Sequence, residues 1–131
     1  MTHQTEYQKI VFEAENSILE VFWTNTDLLD EESYKKEVLW QLDIVLQYCP
    51  KNILIDTRFF DFTITPEVQD WANTEVLPKV MTTGVRKIAL LISKSLFAQV
   101  SIEQQMEDNP NALNLVAYFE DYESAKKWLL L

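Results

Sequence analysis

Residues 51–60 read KNILIDTRFF. Ile53, Leu54 and Ile55 form an unbroken apolar run that ends on Asp56, the composition of a strand buried on both faces and meeting solvent at its carboxyl end. A second run of the same kind, RKIALLI, occupies residues 86–92. Between the two, Thr65 as cap, Pro66 at the first helical position and Glu67 in the first turn open a helix. Val68, Trp71, Val76 and Val80 form its apolar face, extended by Ala72 and Leu77. Pro78 is expected to kink or end this helix, and Thr82-Thr83-Gly84 to turn the chain back. Two buried strands joined by a helix predict a parallel pair with a right-handed crossover.

Upstream, YQKIVFEAENSILEVFWTN (7–25) reads as two short strands joined at Asn16-Ser17, with Asn16 supplying the positive φ of the turn. The second of these strands carries Trp23 and is expected at a sheet edge, where it would pair across a homodimer or be covered by the amino terminus. From Asp30 the period becomes helical. Asp30, Glu31 and Glu32 supply acid to the cap and first turn. Tyr34, Val38, Leu42 and Val45 form a stripe that Leu39, Leu46 and Cys49 broaden, and Pro50 stops the helix. Downstream, a third helix is expected over Phe97 to Glu107, and Asp108-Asn109-Pro110-Asn111 is turn-rich. A fifth strand runs from Leu115 to Phe119, and a last helix presents Ala125, Trp128 and Leu129 to the body. The order β-β-α-β-α-β-α-β-α predicts one α/β domain over 1–131, built on a mixed, mostly parallel five-stranded sheet with helices on its faces.

The chain has 131 residues, 47% of them apolar, enough for a core of one ordinary domain. It has one glycine, one histidine and one cysteine. Glycine-rich phosphate loops, dinucleotide fingerprints and G-x-S-x-G elbows are thereby excluded, as are zinc-finger patterns. A lone cysteine suits a reducing compartment. The net charge is -10, of which -7 falls in residues 1–65, and so acidic a chain argues against phosphate backbones as partners. The opening MTHQTEYQK is polar, and no apolar run approaches the ~20 residues of a membrane helix. The expectation is a cytoplasmic protein with no membrane insertion, no nucleic-acid partner, no cofactor and no metal.

His3 lies in a polar tail, Cys49 reads as a packed thiol, and neither has a nearby base or ligand set. The candidate ligand-binding residues are instead those at the strand ends, where open α/β sheets hold their ligands. Asp56, Thr57 and Arg58 follow the first parallel strand, and Ser93 and Lys94 the second. Arg58 and Lys94 with a Thr57 or Ser93 hydroxyl could hold an anion; Asp56 and Arg58 could equally form a structural ion pair. The connection FFDFTI (59–64) puts Phe59, Phe60 and Phe62 beside that edge, either as an apolar pocket or as a plug between helix and sheet.

ILIDTRFF, the IALLI strand and the ending YFEDYESAKKWLLL together resemble the SpoIIAA-like superfamily, which contains the STAS domains, in the style of small stand-alone bacterial members of unassigned function. The resemblance spans roughly residues 7–131. It implies a phosphorylatable serine at the start of the helix after the central strand, in a D-S-S-G-like context. By position that context falls at Asp61-Phe62-Thr63, making Thr63 the candidate and Thr65 its alternative; the paired serines and the glycine are absent here. It also implies a non-enzymatic regulatory or protein-interaction module, whose acidic surface would suit a basic protein partner. The alternatives are a binder of a small apolar or anionic ligand at the strand ends, and an enzyme of unassigned reaction using Asp56, Arg58 or Lys94.

Overall fold

A computed structural model describes residues 1–60, 62, 65–93 and 115–131. Its strands are β1 (Thr2–Gln4), β2 (Gln8–Glu13), β3 (Ile18–Trp23), β4 (Asn52–Asp56), β5 (Lys87–Leu91) and β6 (Val116–Phe119). The helices are α1 (Glu31–Tyr48), α2 (Pro66–Trp71), α3 (Leu77–Met81) and α4 (Tyr122–Leu129), with a π-helical turn, Ala72–Val76, joining α2 to α3. The helix expected over 97–107 and the turn at 108–111 lie outside the described residues.

The sheet has six strands in sequence order, antiparallel from β1 to β3 and parallel from β3 to β6. The expected count of five is short by β1, because Thr2–Gln4 carries no apolar alternation to betray a strand. It is recruited by backbone pairing, with Thr2 opposite Val11 and Gln4 opposite Lys9. His3 is likewise not without a partner: its Nε2 lies 2.8 Å from the Tyr48 hydroxyl. The Trp23-bearing strand is no edge, since β3 sits between β2 and β4. The positive φ of the hairpin falls on Ser17, at 53°, while Asn16 donates its side-chain amide to Glu13.

Strand geometry then divides the core. Alternate residues point to opposite faces. On one face Ile10, Leu19, Val21, Trp23, Ile53 and Ile88 meet Tyr34, Val38, Ile44 and Val45 of α1 and Val68 of α2. On the other, Ile18, Leu54, Ala89 and Leu91 meet Ala125 and Leu129 of α4. Adding neighbouring strands in one direction with crossovers of one hand puts the connecting helices on the same face. The second face is left to α4, which packs across β4, β5 and β6.

The helix starts are as local as they read. Asp30 caps α1 by accepting from the Ser33 backbone N–H at 2.7 Å, and the Ser33 hydroxyl accepts in return from the Asp30 N–H at 2.9 Å. Thr65 caps α2 by accepting from Val68 N–H at 3.3 Å. Leu39 and Leu46, however, are exposed, because at 100° per residue they fall on the outer side of α1, and Ile44 takes a buried place instead. Cys49 is exposed too: it is the left-handed cap residue of α1, φ 45°, past the stripe it was expected to extend.

Pro78 does not end its helix, which runs on to Met81, but the helix is not regular through it. Its ring would clash with the carbonyl of Thr74 and it has no N–H to bond there. The chain widens one turn earlier, and Leu77 N–H bonds to Ala72 O in π register. The Thr74 hydroxyl donates to the Asp70 carbonyl within the same turn.

Candidate functional site

The strand-end residues separate by the two-residue period. Asp56 is the last residue of β4 and lies on the α4 face with Leu54; Thr57, one residue on, turns toward α1. Asp56 is 6% exposed, so the strand does not meet solvent at that residue. Among the described residues, its carboxylate is met by one neighbour, Arg58. One oxygen accepts from the Arg58 backbone N–H and Nε, both at 3.0 Å, and the other from the guanidinium at 2.8 Å. This fork holds Arg58 firmly charged, the hydrogen bonds to Asp56 outweighing burial, with Asp121 adding attraction. The arrangement fixes the loop after β4 and leaves Arg58 committed to Asp56. Phe59 is 76% exposed, its ring 5.9 Å from the Arg58 guanidinium.

On the other face the same loop borders a cavity of about 510 Å³. Its described walls are Trp23 from the end of β3, Ile55 and Thr57 from β4, Leu90 from β5, Tyr34, Val38 and Gln41 from α1, and Phe60 and Phe62 from the connection. The rings brace one another. Tyr34 stacks on Phe62 with centroids 4.7 Å apart, and Trp23 meets Phe60 edge-on at 5.5 Å. Phe60 and Phe62 therefore pack against the core and line this space at the same time. Burial holds the Tyr34 phenol above its ordinary pKa, so this wall residue stays neutral. The Thr57 hydroxyl and backbone N–H both donate to the Leu91 carbonyl at 2.8 Å, which pins the mouth to β5.

Of the sequence candidates, Thr57 is thus on the cavity, Asp56 and Arg58 are paired on the opposite face, and Phe59 points to solvent. Ser93 is half-buried just after β5 and has a partner of its own. Thr65 is the exposed cap of α2; Lys94 and Thr63 lie outside the described residues. Trp23, Tyr34, Val38, Gln41 and Leu90 were not among the candidates. Their signal was present only as periodicity: Ile53, Ile55 and Thr57 share a strand face, and Tyr34, Val38, Gln41 and Val45 share a helix face. Among the described residues no three His, Cys, Asp or Glu side chains converge as a metal site, and no helix is long and apolar enough to cross a membrane.

A second polar cluster lies on the α4 face. The Lys126 ammonium bonds Glu20 at 2.5 Å and Glu13 at 3.0 Å, while the Tyr122 hydroxyl donates to the same Glu20 oxygen at 2.6 Å. Burial would lower the Lys126 pKa, but the two carboxylates more than reverse this and raise it. The hydrogen bond from Lys126 lowers that of Glu13. A carboxyl depressed on folding contributes stability that is present above its unfolded pKa of about 4.3 and is lost as pH falls through the folded value. A raised lysine contributes stability that is present below about 10.4 and is lost only as pH climbs through its higher folded value. The cluster is therefore expected to hold from neutrality to about pH 10 and to weaken below about pH 4. Urea titrations of the parent and a Glu13→Gln variant across pH 3–7 check this. The variant's curve should be flatter on the acid limb, and identical slopes would remove Glu13 from it.

Comparison with protein families, curated proteins and solved structures finds no match to this chain.

Proposed function

We propose that the protein is a non-enzymatic binding module that takes a small apolar ligand at the carboxyl ends of β3, β4 and β5. The observation that carries this reading is the cavity between α1 and the sheet. Its volume falls within the range of small-molecule sites, roughly 300–1,000 Å³, and its walls are aromatic and aliphatic with a few placed polar groups. Ile55 supports it further. On the inner face of a central strand it is only half-buried, although Ile53 and Leu54 beside it are closed off from solvent. An apolar ligand fits better than an anion, because the Arg58 charge is engaged by Asp56 on the opposite face. The hairpin followed by strand–helix units in sequence order is also the element order that the SpoIIAA-like resemblance implies. The regulatory role rests on that resemblance, and in this reading the ligand is its switch.

Leu90→Trp tests the site. It enlarges a half-buried wall residue into the cavity from a strand position that tolerates an aromatic side chain. Titration of the parent with indole, followed by calorimetry, should give saturable one-to-one binding, and the variant should lose at least about tenfold in affinity. Equal affinity in a folded variant would move the ligand elsewhere, and no binding of indole or of any apolar probe by the parent would remove the reading.

A further inference from the structure

We infer that the ligand is a linear aliphatic chain, lying along β4 with its polar end near Thr57 and its tail beneath the π-helical turn; this rests on the binding reading above. The wide cavity does not stand alone. A smaller one of about 210 Å³ adjoins it, and Gln41 and Ile55 belong to the walls of both. The inner chamber is walled by Val45 of α1, Ile53 and Ile88 of the sheet, and Ala72, Val76 and Val80 of the helical run opposite.

The walls run side by side. On β4 the sequence Ile53, Ile55, Thr57 lies along one face over four residue steps, about 13 Å at 3.3 Å per residue. On α1, Val38, Gln41 and Val45 span seven steps, about 10 Å at 1.5 Å per residue. The chemistry grades along that length. The outer end has a hydroxyl at Thr57, a phenol at Tyr34 and flat rings; beyond Gln41 the walls are aliphatic apart from Asn73. A slot that is roomy, aromatic and partly polar at one end but smaller and mainly aliphatic at the other suits a chain with one polar end better than a compact ring. The π turn helps to shape the inner end. It lies just before Pro78, and it supplies Ala72, where a larger side chain would fill the chamber.

The test compares 1-hexanol, 1-octanol and 1-decanol with indole, a compact ring sized for the outer chamber, by calorimetry on the whole protein. Each methylene drawn into an apolar slot should strengthen binding severalfold, so affinity should rise roughly tenfold for every two carbons added. In Ala72→Phe, which blocks only the inner chamber, the three alcohols should converge on the hexanol value, while indole stays within about twofold of the parent. Val80→Phe fills the same chamber from the next turn and should behave alike, guarding against one variant that fails to fold. Saturable indole binding with no gain along the alcohols in the parent would overturn the chain assignment and leave the binding site standing. Chain-length dependence that survives both substitutions would also overturn it, and failure of every probe to bind would remove the binding reading itself.

Discussion

Leu54→Ala is expected to cost about 3–4 kcal/mol and to lower the melting temperature by roughly 10–18 °C. Leu54 is fully buried in the middle of β4, between Glu20 of β3 and Ala89 of β5 in register. Its side chain enters the layer formed by Ile18, Ala89 and Leu91 beneath Ala125 and Leu129 of α4. Two of the surrounding walls are hydrogen-bonded strands that cannot close in, and Ala125 is too small to reach across. Most of the void would remain, which places the cost in the upper part of the range for Leu-to-Ala changes. The neighbouring Ile55→Ala should cost only about 1–2 kcal/mol, because that side chain looks into an existing cavity and already gives up contacts there. Denaturant unfolding of the two variants measures the difference. Equal losses would mean that the two faces of β4 are packed alike.

The second large effect is at Lys126. Replacing it with Met keeps the aliphatic stem but leaves Glu20, whose side chain is 11% exposed, facing Glu13 with, among the described residues, only the Tyr122 hydroxyl as partner. Breaking a fully buried pair costs about 3–5 kcal/mol; the ammonium here is 22% exposed and Glu13 35%, so water compensates in part and about 2–3 kcal/mol is expected. The loss is attributed to a stranded charge rather than to a missing contact, and that attribution has its own check. Adding Glu20→Gln to Lys126→Met removes the charge while the amide oxygen still accepts from Tyr122, so the double variant should recover at least about 1 kcal/mol. A double variant no more stable than the single one would show that packing, not charge, was lost.

The parts of the molecule that were legible in the chain are those decided by near neighbours. ILI and IALLI are short apolar runs without alternation, bounded by polar and turn residues, which is the pattern of a strand buried on both faces. Asp30 with Ser33, and Thr65 with Pro66 and Val68, begin helices through bonds spanning three residues. Gly84 turns the chain at φ 82° because it has no Cβ to forbid it. The candidate site was legible only in part. A strand's side chains change face at every residue, so Asp56, Thr57 and Arg58, read as one constellation, divide between two sides of the sheet. Ile53, Leu54 and Ile55 are equally apolar, and nothing in them distinguishes the closed face from the hollow one. β1 was invisible for the opposite reason: its only credential is a free edge to pair with, which belongs to β2.

By itself, then, the sequence determined where β2 to β6 and the capped helices α1, α2 and α4 begin and that the sheet would be mixed, because these follow from caps, prolines and hydrophobic period over a few residues. The tertiary structure decided what no local rule carries: that α1 and α4 take opposite faces, that Tyr122 reaches Glu20 across 102 positions of chain, and that the space under α1 stays open. The reason is that burial is a property of facing surfaces. Each side chain's apolar character is written in the chain, but what stands opposite it is settled only when distant elements pack.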